Sequence, residues 1–161
     1  MRFQWRHEAN KRKYMRIAII NGPNLNLLGR REPSIYGTRS MEQVLVDVQR
    51  MHPEVYFDYR QSNHEGVLID WMQELGLLAM ADEPYDGIIL NAGGYTHTSV
   101  ALRDAVACSQ VPVIEVHISD IAQRETFRRV SLLTDVCQHS IIGHGIDGYK
   151  EAIDWIAKQT K

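Results

Sequence analysis

The chain has 161 residues, the size of one ordinary domain, and its 44% hydrophobic and 24% charged residues exclude a disordered or fibrous protein. No apolar stretch approaches the ~20 residues that a membrane span needs, so we expect no membrane partner. Two cysteines are too few for a disulfide scaffold, which favours a reducing, cytoplasmic setting.

The charge is distributed unevenly, because residues 1–14 carry five basic side chains against one acidic side chain. This +4 segment leaves −6 on the other residues, given the net charge of −2. The segment lacks the apolar core of a secretory signal, and we predict a basic, disordered tail followed by a single domain over 15–161. A nucleic-acid-binding arm is the alternative for the tail, but the acidic remainder gives no indication of a nucleic-acid partner.

Apolar runs and helical spacings alternate along the rest of the chain. Strands are predicted at residues 16–20, 55–59, 88–90, 113–116 and 136–142. Helices are predicted to begin at Ser40 with a capping box to Gln43, around Leu68, at Thr98 or Ser99, and around Tyr149. A basic segment, 124–129, follows the fourth strand. Five βα units with apolar strands imply an α/β fold, a parallel sheet covered on both faces.

Three features of the sequence point to functions that we reject. Gly143-His-Gly-Ile-Asp-Gly148 matches the dinucleotide fingerprint, but that fingerprint belongs to the first βα turn, so glycines that shape a strand-to-helix turn are the better interpretation. The seven histidines include no His-Glu-x-x-His run, and we predict no metal site. Cys108 falls on the apolar side of a predicted helix, which indicates a buried structural thiol rather than a nucleophile.

Ligands of parallel sheets bind at the carboxyl ends of the strands, and the first polar segment expected there contains Asn24 and a loop. Arg31 and Tyr36 lie in this loop between Gly29 and Gly37, which predicts a lid. A free tyrosine, with a pKa of about 10, is only about 0.1% phenolate at neutral pH. Nearby arginine charge favours the phenolate, so Tyr36 is a candidate general base.

Two further polar segments supply a candidate anion site and a candidate acid. Glycines between Asn91 and His97 let backbone amides approach a ligand, although a capped glycine turn without a ligand is the alternative. Glu115 and His117 are two apart on a strand and therefore share a face. The carboxylate can orient the imidazole and keep it protonated as a general acid, and a purely structural histidine is the alternative.

Four runs together carry a resemblance to one enzyme family. They are Asn-Gly-Pro-Asn-Leu-Asn-Leu-Leu-Gly-x-Arg-Glu-Pro-x-x-Tyr-Gly (21–37), Gln-Ser-Asn-His-Glu-Gly (61–66), Asn-Ala-Gly-Gly-Tyr-Thr-His-Thr-Ser-Val-Ala-Leu-Arg-Asp (91–104) and Glu-Val-His-Ile-Ser (115–119). From about Arg16 to Ala157 the chain strongly resembles the type II 3-dehydroquinate dehydratases. The resemblance implies a flavodoxin-like three-layer sandwich with a five-stranded parallel sheet. It also implies a lyase that dehydrates 3-dehydroquinate to 3-dehydroshikimate without a cofactor, in the shikimate pathway.

The resemblance implies roles for single residues. Tyr36 matches the base that removes the proton α to the ketone, Arg31 the lid arginine that promotes its phenolate, and Asn24 the residue that holds a water beside the enolate. His117, oriented by Glu115, matches the acid that protonates the departing hydroxyl. The positions that match contacts to the substrate's hydroxyls and carboxylate are Asn91, His97, Ile118, Ser119 and Arg128.

The resemblance also implies a homo-oligomer, a dodecamer made of four trimers. Asp104 matches an aspartate that reaches across the trimer contact into the substrate site of a neighbouring subunit. The helix that carries it places Leu102 and Val106 on the core side, which predicts that the carboxylate points outward. A solvated surface aspartate is the alternative.

The chain departs from the family pattern in two places. Asp120 stands where the family commonly has asparagine, which adds negative charge near a carboxylate-binding loop, and the connection over 49–55 is shorter than usual.

Two other functions are alternatives to the one that the resemblance implies: a non-catalytic flavodoxin-like binding module, and a dehydratase acting on a related cyclic polyol acid. The presence of Tyr36, Arg31 and His117 favours an enzyme, because binding alone needs no activated base.

Overall fold

The computed structural model describes residues 2–4, 14–30, 37–80 and 84–160. Its strands are β1 (Arg2–Gln4), β2 (Met15–Asn21), β3 (Val55–Gln61), β4 (Gly87–Asn91), β5 (Val113–His117) and β6 (His139–Ile142). Its α-helices are α1 (Met41–Met51), α2 (Glu65–Met80), α3 (Val100–Ala107) and α4 (Gly148–Gln159). None of the helices within these ranges is long and apolar enough to cross a membrane.

The strands form one sheet in the order β1-β3-β2-β4-β5-β6. Strands β2 to β6 are parallel, with Ile19 of β2 opposite Tyr59 of β3 on one side and Ile89 of β4 on the other. The parallel order, β3-β2-β4-β5-β6, is that of flavodoxin-like doubly wound sheets. The predicted α/β class with five parallel strands is therefore confirmed.

Strand β1 lies at the edge of the sheet and pairs with β3 in the antiparallel sense, with Arg2 opposite Arg60 and Gln4 opposite Asp58. Its residues belong to the segment expected to be a disordered tail. Without β1, β3 would be the edge strand, and the unpaired backbone N–H and C=O groups of an edge strand can pair with an extended segment. Residues 1 and 5–13 of the predicted tail lie outside the described residues.

The sheet separates two apolar layers, because successive side chains on a strand point to opposite faces. In β2, Ile17 and Ile19 belong to the layer beneath α1 and α4, whereas Ala18 and Ile20 belong to the layer beneath α2 and α3. All four side chains are fully buried. The strands thus form the middle of a three-layer sandwich whose carboxyl ends gather at one edge.

The helix starts follow the capping signals in the sequence. The Ser40 hydroxyl accepts from the Gln43 backbone N–H, while the Gln43 side chain accepts from the Ser40 N–H, so the predicted capping box is confirmed. Of the two candidates for the start of α3, Ser99 is the cap, because its hydroxyl accepts from the Leu102 N–H.

The short connection over 49–55 is a tight turn between α1 and β3. Helix α1 ends at Met51, since Pro53 disfavours helical backbone at His52. The Gln49 side-chain amide then donates to the Val55 carbonyl at 3.2 Å, which closes the turn. Strand β3 begins directly after this turn at Val55, its predicted start.

The connection from β5 to β6 differs from the prediction of five βα units. It contains 3-10 turns at Ile121–Gln123, Thr126–Arg128 and Thr134–Val136 and no α-helix. Phe127 and Val130 of this stretch are 70% and 65% exposed, so an α-helix here would bury little apolar surface. The last turn also explains why β6 begins at His139 rather than at residue 136.

Cys108 is exposed, so its predicted burial is wrong. Helix α3 ends at Ala107, and Cys108 is its C-cap residue. It therefore leaves the helical periodicity on which the prediction of an apolar-side position depended.

Candidate active site

A cavity of about 180 Å³ opens at the carboxyl ends of β2, β4 and β5. Parallel α/β sheets bind ligands at this edge. The cavity is lined by Pro23, Asn24, Leu25, Leu28, Asn91, Gly93, Gly94, His97, His117, Ile118, Ser119, Ile121, Arg124 and Arg128. Seven of the residues predicted to form the site are therefore brought together here, namely Asn24, Asn91, His97, His117, Ile118, Ser119 and Arg128.

The loops after β2 and β4 contact each other closely at Gly22. Its N–H donates to the Asn91 carbonyl at 2.7 Å. A Cβ atom at this position would lie 2.4 Å from the Ala92 carbonyl oxygen, so only glycine fits without moving the backbone. This contact brings the turn that carries Asn24 against the segment from Asn91 to His97.

Asn24 has an uncommon backbone conformation at the mouth of the cavity. Its φ of 67° places it in the left-handed region, and within the described ranges it is the one non-glycine residue with positive φ. Asparagine tolerates this region better than most residues. The turn therefore restricts this position to residue types that tolerate positive φ. Asparagine is one of them, and it also places a polar side chain at the cavity.

His117 and Glu115 form a buried pair on β5. The imidazole Nε2 lies 2.7 Å from Glu115 Oε1. His117 is 5% exposed and Glu115 is fully buried. Because a carboxylate oxygen only accepts, Nε2 carries the hydrogen, and Nδ1 is the ring nitrogen left for a ligand in the cavity.

Four hydroxyl groups surround the Glu115 carboxylate as well. Thr96 and Ser131 donate to Oε1 at 2.8 and 2.6 Å, and Thr134 and Ser140 donate to Oε2 at 2.7 and 3.1 Å. The Ser131 hydroxyl already accepts two backbone N–H groups, so its own hydrogen is available for the carboxylate. These donors replace the hydrogen bonds to water that the carboxylate loses on burial, and so offset the cost of its desolvation.

The pKa of Glu115 reflects these contacts. Burial alone would raise the pKa of this carboxyl, but the hydrogen bond and charge of His117, with hydrogen bonds from Ser131 and Thr134, lower it to about 2. Glu115 is therefore ionised at neutral pH. Sequence reasoning identified the Glu115–His117 pair but missed the hydroxyl donors, for which Thr96 within the 91–104 run was the nearest signal.

A buried polar network holds the side chain of Asn91 in place. Its amide donates to the Tyr149 hydroxyl at 3.0 Å, and that hydroxyl donates to Asn21 Oδ1 at 2.8 Å. The side-chain oxygen of Asn91, Oδ1, accepts from the Gly93 N–H at 3.2 Å. Burial raises the pKa of Tyr149, so its phenol stays neutral. Sequence reasoning assigned Tyr149 to an apolar stripe, since nothing local marks its polar contact.

Basic side chains form part of the cavity wall. His97 Nδ1 lies 2.7 Å from the Val130 carbonyl oxygen, which only accepts, so Nδ1 carries the hydrogen and Nε2 is left for a ligand. Arg124 donates to the Ser119 hydroxyl at 3.3 Å. Arg124 was missed as a site residue, although the basic segment that contains it was recognised. Together with Arg128 it makes this wall suited to a carboxylate.

Other residues predicted to act in the site lie outside the cavity or outside the described residues. Asp104 is exposed on α3 and lines a groove between α2 and α3. Arg31 and Tyr36 lie outside the described residues. The Asp120 carboxylate caps its own 3-10 turn by accepting from the Ala122 N–H at 3.0 Å, so this added charge is bound locally.

The match to the dinucleotide fingerprint has a structural explanation. Gly143 and Gly145 have φ of 82° and 63° in the turn between β6 and α4, which confirms that glycines shape this strand-to-helix turn. His144 pairs with Glu151 at 2.8 Å on the surface. Within the described part of the chain, no three His, Cys, Asp or Glu side chains are grouped so that they could hold a metal ion.

Residues 15–157 match the family model of dehydroquinase class II. The chain belongs to this family. A 3-dehydroquinate dehydratase from an Exiguobacterium species is 49% identical over 140 residues, which span 86% of this chain and 92% of that relative. The crystal structure of the type II dehydroquinase from Butyrivibrio crossotus is 42% identical, with a TM-score of 0.83 over 89% of this chain and 98% of that one. The corresponding enzyme from Propionibacterium acnes is 34% identical, with a TM-score of 0.80 over 90% and 99% of the two chains.

Membership of the class II dehydroquinases confirms the resemblance that the four sequence runs carried. All four runs lie inside the matched range, and three of them border the cavity at the carboxyl edge of the sheet. The fourth run, 61–66, contributes no residue to the cavity lining.

Proposed function

We propose that this class II dehydroquinase removes water from 3-dehydroquinate to give 3-dehydroshikimate, through an enolate and without a cofactor. The observation that carries the proposal is one cavity lined by His117, which the ionised Glu115 holds, together with Asn24, Arg124 and Arg128. A buried ionised pair that positions one imidazole nitrogen towards a polar cavity is suited to proton transfer. Relatives named 3-dehydroquinate dehydratase support the choice of substrate.

In the first step, the Tyr36 phenolate removes the proton α to the ketone. The electrons of the C–H bond move towards the carbonyl oxygen and give an enolate, and Arg31 favours the phenolate. Asn24 holds a water that donates to the enolate oxygen. The roles of Tyr36 and Arg31 are carried by the family motif over 21–37, and the role of Asn24 is supported by its position in the cavity lining.

In the second step, His117 donates a proton to the hydroxyl group β to the ketone. The C–O bond breaks, water leaves, and the enolate electrons re-form the ketone with a conjugated C=C bond. Glu115 accepts from the Nε2–H, so the transferred proton comes from Nδ1 of the doubly protonated imidazolium, which is left as the neutral Nε2–H imidazole. The hydroxyl groups around Glu115 stabilise the negative charge of its buried carboxylate.

The substrate is held by groups around the cavity. Its carboxylate binds at Ile118 and Ser119, with the guanidinium groups of Arg124 and Arg128 nearby, and its hydroxyls bind Asn91 and His97. Supporting evidence is that all six residues line one cavity and that His97 Nε2 is left available by the bond to Val130.

The active enzyme is proposed to be a dodecamer of four trimers in which Asp104 reaches a neighbouring subunit's site. Asp104 is exposed in a groove whose other wall carries Leu77 and Met80, 65% and 70% exposed. Exposed apolar side chains beside a charged group are typical of a surface that another subunit covers.

The direct test is incubation of the chain with 3-dehydroquinate in a chelating buffer while the absorbance of the enone product is followed. A rising enone absorbance that is abolished in His117→Ala supports the proposal. Tight binding of 3-dehydroquinate without any turnover would favour the non-catalytic binding module. Turnover of a related cyclic polyol acid alone would favour the second enzymatic alternative.

A further inference from the structure

The Gln-Ser-Asn-His-Glu-Gly run at 61–66 connects β3 to α2 and contributes nothing to the cavity lining, so the proposed reaction leaves it without a role. We propose that Asn63 of this run is a positioning residue that holds Asn24 in its left-handed backbone conformation. This role rests on the proposed function, because its purpose is to aim the Asn24 side chain into the site.

The contact that defines this role joins two turns that are 39 residues apart. The Asn24 backbone N–H donates to Asn63 Oδ1 at 2.9 Å. The same oxygen accepts from the Gln61 side-chain amide at 3.1 Å. Gln61 is 8% exposed, and its amide also donates to the Gly22 carbonyl at 3.2 Å. The amide oxygen of Asn63 is therefore fixed by a buried neighbour and points at one backbone N–H group.

The conformation of Asn24 explains why such a contact is needed. A residue with φ of 67° and ψ of 0° lies in a sparsely populated region that persists only when the surrounding structure selects it. The Asn63 acceptor on the Asn24 N–H fixes the peptide plane before the Asn24 Cα, and the Leu27 N–H, which donates to the Asn24 carbonyl at 3.1 Å, fixes the peptide plane after it. With both planes held, φ and ψ of Asn24 are fixed as well. The direction of the Asn24 side chain changes with its φ, so this contact fixes which way the side chain points.

Asn63 also contacts the second loop of the cavity. Its backbone carbonyl accepts from the Tyr95 hydroxyl at 2.9 Å. Tyr95 belongs to the 3-10 turn Gly93–His97, which contributes Gly93, Gly94 and His97 to the lining. The backbone carbonyl remains in any Asn63 variant, so a side-chain substitution tests the contact to Asn24 separately.

The test uses variants of the full chain. Asn63→Ala removes the acceptor and should lower kcat roughly tenfold with little change in KM, since the water held by Asn24 acts on the enolate rather than on bound substrate. Asn63→Asp keeps an oxygen in the same place and should restore kcat to within roughly threefold of the unmodified chain. Asn26→Ala is the matched control, because Asn26 is an exposed asparagine of the same turn that does not line the cavity.

A double-mutant comparison separates positioning from a structural role. If Asn63 acts through Asn24, then Asn63→Ala introduced into an Asn24→Ala background should change kcat by less than roughly twofold. A full tenfold loss in that background, or an unchanged kcat in Asn63→Ala alone, would overturn the inference. If Asn63→Ala does not fold, Asn63→Ser, whose side chain is too short to reach, is measured in the same way.

A crystal structure of Asn63→Ala gives a readout that does not depend on activity. The expected result is that Asn24 leaves the positive-φ region, and an unchanged φ near that of the unmodified chain would contradict the positioning role. An unmodified chain without turnover on 3-dehydroquinate would count against the proposed function, while the crystal structure would still decide whether Asn63 holds Asn24.

Discussion

His117 Nε2 lies 2.7 Å from Glu115 Oε1 on the same face of β5, and both side chains are buried at the carboxyl end of the sheet. The spacing of two residues on a strand makes the contact possible, and the surrounding hydroxyls make it stable. A buried charge pair is costly unless its remaining hydrogen-bonding capacity is satisfied. In this chain the carboxylate accepts from the imidazole and from four hydroxyls, so the pair can remain charged while the imidazole faces the cavity.

The pair should leave a signature in acid stability. The Glu115 pKa of about 2 lies below its ordinary value of 4.5, so the unfolded state binds more protons than the folded state between these values. The stabilisation from this carboxylate is present above about pH 4.5 and is lost as the pH falls towards 2. Urea unfolding across this range should show the stability difference between the unmodified chain and Glu115→Gln shrinking as the pH is lowered. A difference that stays constant would show that Glu115 does not titrate as described.

Removal of one of the four hydroxyls that donate to Glu115 should lower both the stability of the fold and the rate of the reaction. Thr134→Val keeps the shape but loses the hydrogen bond to Glu115 Oε2, which should lower the free energy of unfolding by about 1–3 kcal/mol and kcat by roughly threefold to tenfold. Thermal unfolding and steady-state kinetics measure the two effects. Thr126→Val, in the neighbouring exposed 3-10 turn, is the control and should change neither.

Tyr36→Phe should abolish turnover while substrate binding is largely retained. The substitution removes the hydroxyl proposed as the base and keeps the ring, and loss of a general base typically costs about 10² to 10⁴ in rate. Single-turnover kinetics and calorimetric titration with 3-dehydroquinate separate the two effects. Tyr56→Phe on β3 is a matched control, since Tyr56 does not line the cavity. Near-normal turnover in Tyr36→Phe would mean that another group is the base.

His117→Ala should slow departure of the hydroxyl more than exchange of the α proton. The imidazole is proposed to act after the enolate has formed, so the first step does not require it. Incubation with 3-dehydroquinate in deuterated water, followed by NMR of the recovered substrate and product, measures exchange and elimination in one sample. Equal losses in both steps would contradict the order of the two proton transfers.

Asp104→Ala should lower activity even though the side chain lies outside the cavity of its own chain. Activity shared between subunits is lost when the contributing group is removed or the subunits separate. Sedimentation at low micromolar concentration should show a species near twelve times 18.5 kDa, about 220 kDa. A fully active monomer would count against the assembly and the shared site, whereas a fully active trimer would count against the dodecamer alone.

Much of the fold was determined by short-range patterns in the sequence. The apolar run that becomes β2, the Ser40–Gln43 capping box and the glycine-shaped turn after β6 depend on neighbours within a few residues, so they could be predicted from spacing alone. The shared face of Glu115 and His117 follows from the two-residue period of a strand in the same way. Family membership was likewise carried by runs of adjacent residues.

The tertiary structure decided what depends on contacts between distant segments. Thr96, Ser131 and Ser140 reach Glu115 because β4, β5 and β6 lie side by side, and Asn63 reaches Asn24 because β3 pairs with β2. A hydroxyl or an amide has no preferred partner along the chain, so its hydrogen bond is fixed only when strand order and register are fixed. For the same reason the sequence offered candidates for the reacting residues more readily than for the side chains that hold them in place.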